Sequence, residues 1–269
     1  MKKTIMRIIS LLLFCVMVFS CVMIVREKLR AQREIDEFNK LAAIVTGQIT
    51  ESAQEETTEP DVSESIDDID KTEGIAQESE PEPIFKRNLQ PIFEKNSDCI
   101  GWIFIEGTRV DYPVMFTPNE EQKYLRKSFS GEYSISGTPF LNDNGGIDFD
   151  HLIIYGHNMK NGTMFSDLEE YLNVDFYNEH SVIEFETAKG LKLYEVFAVV
   201  QLKKTDDWYA FTNADNDVVY NGIVGDIKAR SSIETDVIPK AGQQILTLST
   251  CYGPSDDDRL IVVAAEMSR

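Results

Sequence analysis

Histidine, cysteine and basic residues are all scarce in this chain of 269 residues. Three histidines and four cysteines are present, and 26 lysines and arginines stand against 46 aspartates and glutamates, a formal net charge of −20. So acidic a protein argues against binding to nucleic acid. Two cysteines lie in an apolar N-terminal run, and one candidate cysteine with one candidate histidine, Cys251 and His157, falls short of the three or four ligands that a zinc site usually uses. No metal and no cofactor are therefore expected, and the sequence has no internal repeat.

An uncharged run occupies residues 8–25, and three basic residues precede it. Eighteen helical residues span about 27 Å, close to the roughly 30 Å of a bilayer's hydrocarbon core. A cleaved signal peptide would need a small-residue cleavage site, and none follows the run. A lipoprotein signal at Cys21 is the other alternative, but the apolar run continues past it. Residues 1–25 are predicted to be a charged tip and an uncleaved membrane anchor, with charges on both sides that leave its orientation open.

Residues 26–47 and 48–83 differ sharply in composition. The first segment has apolar residues at helical spacing and is predicted to be a juxtamembrane helical stalk. An oligomerising or membrane-surface helix is the alternative. The second segment has 13 acidic residues, one lysine and no aromatic residue. It cannot bury enough apolar surface to offset the entropy of ordering, so an acidic disordered linker is predicted, a spacer that holds a domain away from the membrane.

Residues 84–269 are predicted to form one domain made mostly of β-strands. Apolar runs and alternations predict strands at 100–105, 109–114, 152–155, 181–185, 191–200, 244–250 and 260–265. Helical patches interrupt them at 120–127, 164–171 and 218–229. Many short strands at close spacing indicate a barrel or a sandwich.

Cys251 ends one predicted strand in the run TLSTC, where a side chain can face a cleft. Cys99 is either its disulfide partner or a small buried hydrophobe. His157 follows another strand in the run YGHNM, a position that often presents a catalytic side chain, and is predicted to partner Cys251. His151 and His180 are predicted to lie at the surface.

Arg259 opens the apolar run that follows Cys251. An acyl-transfer nucleophile needs a group that holds the oxyanion of the tetrahedral intermediate. An arginine can do this as a permanent cation with several donors. The alternative is that Arg259 only pairs with Asp256, Asp257 or Asp258. That aspartate run lacks the alternating ligand spacing of a calcium loop.

Several separated motifs together resemble those of class B sortases, membrane-anchored cysteine transpeptidases of Gram-positive bacteria. In chain order they are GWIFIEGTRVDYPVM, YLRKSF, GTPFLN, HLIIYGHNMKNGTMFSDL, LSTC and RLIVVAA. The resemblance implies a mainly β fold, a closed eight-stranded sortase-type β-barrel with peripheral helices. The transmembrane helix and the acidic linker precede it. The resemblance also implies a single-pass protein of the cell membrane, with a cytoplasmic N-terminus and an extracellular catalytic domain at residues 84–269.

Carried over residue by residue, the resemblance makes Cys251 the nucleophile and His157 the acid–base group. Arg259 becomes the cation that holds the oxyanion or positions the substrate. Three further residues match positions that line the family's groove for the sorting signal: Tyr155, Ser249 and Leu125.

The reaction that the resemblance implies is transpeptidation. Cys251 attacks the threonine carbonyl of an Asn-Pro-x-Thr-type or Pro-x-Thr-Gly-type sorting signal on a secreted protein, and His157 protonates the leaving amine. The thioester that remains is split by an amine of a peptidoglycan precursor or a pilin. Three alternatives stay open: an extracytoplasmic cysteine peptidase or amidase with the same Cys–His pair, an L,D-transpeptidase, and a non-enzymatic membrane-tethered interaction module.

Overall fold

The computed structural model describes residues 2–48, 83–142 and 146–267. All but the two end residues of the predicted acidic linker lie outside this part of the chain. The described residues contain the α-helices Lys2–Val45 (α1), Gln90–Lys95 (α2), Val174–Glu179 (α3) and Asp217–Ala229 (α4). They also contain 3₁₀-helices at Glu121–Tyr124, Ser166–Leu172 and Asp207–Ala210.

Eight strands close into a barrel, as predicted. They are Cys99–Phe104 (β1), Asp111–Met115 (β2), Phe140–Leu141 (β3), His151–Tyr155 (β4), Val182–Thr187 (β5), Gly190–Lys203 (β6), Ile245–Cys251 (β7) and Asp258–Glu266 (β8). Their order around the barrel is β1-β2-β3-β4-β7-β8-β6-β5, and β5 pairs with β1 to complete the circle. The pairs β2–β3 and β4–β7 are parallel, and the other pairs are antiparallel.

The strands that carry the candidate site are apolar on both faces because both faces are covered. In β8, Leu260 and Val262 belong to the core inside the barrel, while Ile261 and Val263 belong to a second core outside it. Helix α4 contributes three buried side chains to that outer core: Tyr220, Val224 and Ile227. Continuous rather than alternating apolar runs are the sequence pattern of strands buried on both faces.

Helix α1 is one unbroken helix of 44 residues, so the predicted anchor and the predicted stalk are continuous. Part of it is apolar enough to cross a membrane, and that part is exposed. Its last turns pack on the barrel instead: Phe38, Leu41 and Val45 are buried, and the Phe38 ring meets Tyr112 edge-on at 5.2 Å. Residues 26–45 are helical, and their role as a juxtamembrane stalk stays a prediction. Where the independently folding domain begins stays a prediction.

The chain returns to the end of α1 after the acidic segment. The backbone N–H of Asn88 donates to the carbonyl oxygen of Val45 at 2.9 Å. The acidic segment between them lies almost wholly outside the described residues, so its role as a spacer between domain and membrane stays a prediction.

Candidate active site

Cys251 and Arg259 face each other across a strand pair. The antiparallel register of β7 and β8 sets Cys251, the last residue of β7, directly opposite Arg259, the second residue of β8. Directly opposite residues in such a pair have their Cβ atoms about 4.5–5.5 Å apart and point to the same face. The hairpin therefore holds the thiol and the guanidinium side by side, although seven residues separate them in the chain.

His157 comes to the same edge of the barrel along β4. Strand β4 is parallel to β7, and their last register pair is Tyr155 with Ser249. The carboxyl ends of two adjacent parallel strands lie at one edge, so His157 and Cys251 leave the barrel together. Gly156 allows this path, since a Cβ atom there would lie 2.5 Å from the Phe165 ring.

A groove of about 410 Å³ opens at this edge. Its lining includes all six site residues predicted from the sequence: Cys251, His157, Arg259, Tyr155, Ser249 and Leu125. The structure thus brings together residues from three separate stretches of the chain. Cys251 is exposed to solvent and is a free thiol, so a substrate can reach it.

The imidazole of His157 is held by a main-chain carbonyl. Its Nε2 lies 2.9 Å from the carbonyl oxygen of Leu125. A carbonyl oxygen only accepts, so Nε2 carries a hydrogen and Nδ1 is the nitrogen left for proton exchange. Burial lowers the pKa of His157, an effect that Arg126 reinforces and the Leu125 bond opposes. In the described part of the chain, the imidazole of His157 is hydrogen-bonded to Leu125 and not to the sulfur of Cys251.

Arg259 is anchored to the main chain of the turn before it. Its Nη1 donates to the carbonyl oxygens of Asp256 and Asp258, each at 2.8 Å. The carboxylates of this turn have other partners: Lys203 pairs with Asp258 and Lys204 pairs with Asp257. Hydrogen bonds from these lysines are the largest cause of the lowered pKa of both aspartates. Lys203 at the end of β6 and Lys204 after it therefore pair with two of the three aspartates of the turn, and the main chain of the turn fixes the guanidinium of Arg259.

The sequence matches a known protein family and two proteins of that family. A family model for the sortase domain matches residues 103–267. The chain is 33% identical over 189 residues to sortase B of Staphylococcus aureus, which covers 68% of this chain and 77% of the relative. It is 34% identical over 178 residues to sortase B of Listeria monocytogenes, covering 64% of this chain and 69% of the relative. The chain belongs to the sortase family, in class B.

Solved structures agree with this assignment. A Staphylococcus aureus sortase B–substrate complex superposes with a TM-score of 0.62 at 31% identity, covering 67% of this chain and 84% of that one. Sortase B of Clostridium perfringens also gives a TM-score of 0.62, at 29% identity, covering 67% of this chain and 100% of that one. This sortase is a cysteine transpeptidase that acts in cell-wall protein anchoring or in pilin linkage. Sortases act on sorting-signal substrates and amine acceptors.

Cys99, His151 and His180 do not line the groove. Cys99 is a free, buried thiol, and burial raises its pKa to about 12. The disulfide alternative is therefore wrong. The prediction that His151 lies at the surface is also wrong. His151 is buried, and its two ring nitrogens lie 2.9 Å from the carbonyl oxygen of Phe211 and 2.7 Å from Oγ1 of Thr247. His180 is partly exposed, with Nδ1 2.7 Å from the carbonyl oxygen of Glu106.

Tyr209 is a groove residue that sequence reasoning missed. It lies in the 3₁₀-helix Asp207–Ala210, its ring stacks with Tyr155 at 6.2 Å, and its hydroxyl lies 2.8 Å from Oγ of Ser249. Burial raises the pKa of Tyr209 to about 12, so the phenol keeps its proton at neutral pH. The cluster of aromatic residues in the run DWYAF was the available sequence signal, but nothing local relates it to β4 and β7.

Proposed function

We propose that this sortase cleaves a carboxyl-terminal sorting signal after threonine and that Cys251, His157 and Arg259 carry out the reaction. The observation that carries the proposal is the facing pair Cys251–Arg259 in one groove with His157. A nucleophile, a proton carrier and a fixed cation are the three groups that acyl transfer through a thioester needs.

In the proposed first step, the sulfur of Cys251 attacks the threonine carbonyl carbon. The thiol proton passes to Nδ1 of His157, whose other nitrogen remains bonded to Leu125. The lowered pKa of His157 supports this order, because a neutral imidazole is the form that can accept that proton. Arg259 holds the negative charge that develops on the carbonyl oxygen.

In the second step, the tetrahedral intermediate collapses and the carbon–nitrogen bond breaks. Nδ1 of His157 gives its proton to the leaving amine, so the departing peptide leaves as a neutral amine and Cys251 retains a thioester. An acceptor amine then attacks the thioester, His157 takes up the proton of that amine, and the thiol is restored. The product is a new amide bond between the threonine and the acceptor.

The groove supports binding of an extended signal peptide. We propose that Tyr155, Ser249 and Leu125 line its path, as the sequence predicted, and that Tyr209 extends the wall through its contacts with Tyr155 and Ser249. The substrate would be a secreted protein that bears an Asn-Pro-x-Thr-type or Pro-x-Thr-Gly-type signal. The acceptor would be an amine of a peptidoglycan precursor or a pilin.

We also propose that residues 8–25 of α1 span the cell membrane once, with the N-terminus in the cytoplasm and the barrel outside. The length and apolar character of this helix support a membrane span. An extracellular barrel would meet both its secreted substrates and its cell-wall acceptor on the same side of the membrane.

The test uses the full-length protein in detergent micelles with a panel of sorting-signal peptides of both types. Mass spectrometry follows the products with and without triglycine as acceptor, and Cys251→Ala is the control. We expect cleavage after threonine for one peptide type and an amide product only when the amine is added. Release of the free acid alone, at an unchanged rate in triglycine, would support a cysteine peptidase and contradict the proposed transfer.

A further inference from the structure

The two strand ends that carry Cys251 and His157 must stay together beyond their last ladder pair. Past Tyr155 and Ser249, two bonds continue the connection. The N–H of Gly156 donates to the carbonyl oxygen of Ser249 at 3.1 Å, and Oγ1 of Thr250 donates to the carbonyl oxygen of Gly156 at 2.8 Å. Neither bond reaches as far as His157 or Cys251 themselves.

The side chain of Asn158 makes the next bond in this series. Its Nδ2 donates to the carbonyl oxygen of Cys251 at 3.0 Å. The residue directly after the proposed proton carrier is thereby tied to the main chain of the proposed nucleophile. A side-chain amide here takes the place that a main-chain donor would occupy in a longer strand.

The same Nδ2 also donates to Oε1 of Glu169. A primary amide nitrogen has two hydrogens, and both of its partners here are acceptors, a carbonyl oxygen and a carboxylate. Both hydrogens are therefore engaged, and the amide can take only the orientation in which Nδ2 points at these two acceptors. Glu169 follows the loop and sits in the 3₁₀-helix Ser166–Leu172, so it fixes the amide from outside the two strands.

The main chain around Asn158 is held independently of its side chain. The N–H of Phe165 donates to the carbonyl oxygen of His157 at 2.9 Å, and Asn158 forms an antiparallel bridge with Met164. Loss of the amide would leave this loop folded and remove its tie to Cys251. An experiment can therefore remove the hydrogen bond to Cys251 without unfolding the loop.

We propose that Asn158 is a positioning residue that sets the separation of His157 and Cys251, with Glu169 orienting its amide. The proposal rests on the roles proposed above for His157 and Cys251. Asn158 touches neither substrate nor reacting atoms in this reaction. It acts by holding the proton carrier in register with the nucleophile, so its loss lowers the rate of the chemical step more than the affinity for the peptide.

The experiment compares the wild-type chain with Asn158→Ala and Asn158→Asp in full-length protein. Asn158→Asp keeps the shape of the side chain, lacks the donor, and sets a carboxylate against two acceptors. We expect kcat for peptide transfer to fall about 10-fold in Asn158→Ala and at least as far in Asn158→Asp, with KM within twofold. A 10-fold change equals about 1.4 kcal/mol, in the range of one lost hydrogen bond.

A matched control comes from the same loop. Asn161→Ala removes an asparagine whose Oδ1, among the described residues, accepts from the nearby Thr163. This variant should retain kcat within about twofold, and the melting temperatures of all variants should lie close to that of the wild-type protein.

A second measurement needs no substrate: the rate of iodoacetamide reaction with Cys251 as a function of pH. In both Asn158 variants this pH profile should change, because His157, whose pKa is lowered by burial, would then titrate at a different distance from the sulfur. A residue with only a structural role would leave this profile unchanged. Wild-type kcat in Asn158→Ala, a loss confined to KM, or an unchanged alkylation profile would each overturn the proposal. If the wild-type protein transfers no peptide, the proposed function fails, and the alkylation profile still decides the role of Asn158.

Discussion

Replacement of Arg259 by lysine tests whether the guanidinium acts through its shape as well as its charge. One nitrogen of Arg259 is used by two carbonyl oxygens of the turn, each at 2.8 Å, while the residue also lines the groove. A guanidinium can keep this anchor and offer further donors to an oxyanion, whereas a lysine has a single nitrogen for both tasks. Removal of one oxyanion donor costs about 3–4 kcal/mol, or roughly 100- to 1,000-fold in rate. Arg259→Lys should lose activity on this scale, and Arg259→Ala at least as much.

The assay is the rate of sorting-peptide cleavage, with and without triglycine, at equal concentrations of folded protein. Lys203→Ala is the matched control, because it removes an ion pair of the same turn through Asp258 and leaves Arg259 in place. An exposed ion pair contributes about 0–1 kcal/mol, so the control should keep its rate within a few fold. If Arg259→Lys behaved like Lys203→Ala, the shape-based argument would be refuted. Wild-type turnover in Arg259→Ala would remove Arg259 from the reaction altogether.

Three further outcomes are expected. Burial lowers the pKa of His151 from 6.5 to about 4. As the pH falls, the unfolded chain therefore takes up a proton at His151 before the folded chain does. The free energy of unfolding should then fall by on the order of 3 kcal/mol between about pH 7 and pH 4, and urea titrations should find a smaller fall in His151→Gln. Of the two thiols outside α1, brief iodoacetamide treatment should modify Cys251 and spare Cys99, and rapid labelling of Cys99 would contradict its burial. A chain of residues 84–269 should fold, since it holds all eight strands of the described barrel, but it should melt below a chain of residues 26–269. The missing apolar side chains of α1 contribute about 1.5–3 kcal/mol each, and equal melting temperatures would contradict that contribution.

Sequence reasoning succeeded where the signal lies within one short stretch. Cys251 ends one apolar run and Arg259 opens the next, and a connection of only six residues joins the two strands, so their pairing follows from the hairpin. The two residues of β3 are too few to show an alternation, and that strand was missed. The burial of His151 depends on Phe211, sixty residues away, and no local pattern could reveal it. The docking of α1 likewise depends on a barrel surface that forms only when the whole chain has folded.

If residues 8–25 span the membrane as proposed, the unbroken path of α1 sets the height of the groove above it. Glu34 lies nine positions after Val25, the last residue of the uncharged run, and its carboxylate accepts from the main-chain N–H groups of Ile135 and Ser136. At 1.5 Å per residue this is at most about 14 Å, and Ser136 lines the groove itself. An extended peptide covers that distance in about four residues. A substrate still held in the bilayer therefore needs a spacer of only about that length to present its threonine to Cys251, and a much shorter one would leave the scissile bond out of reach.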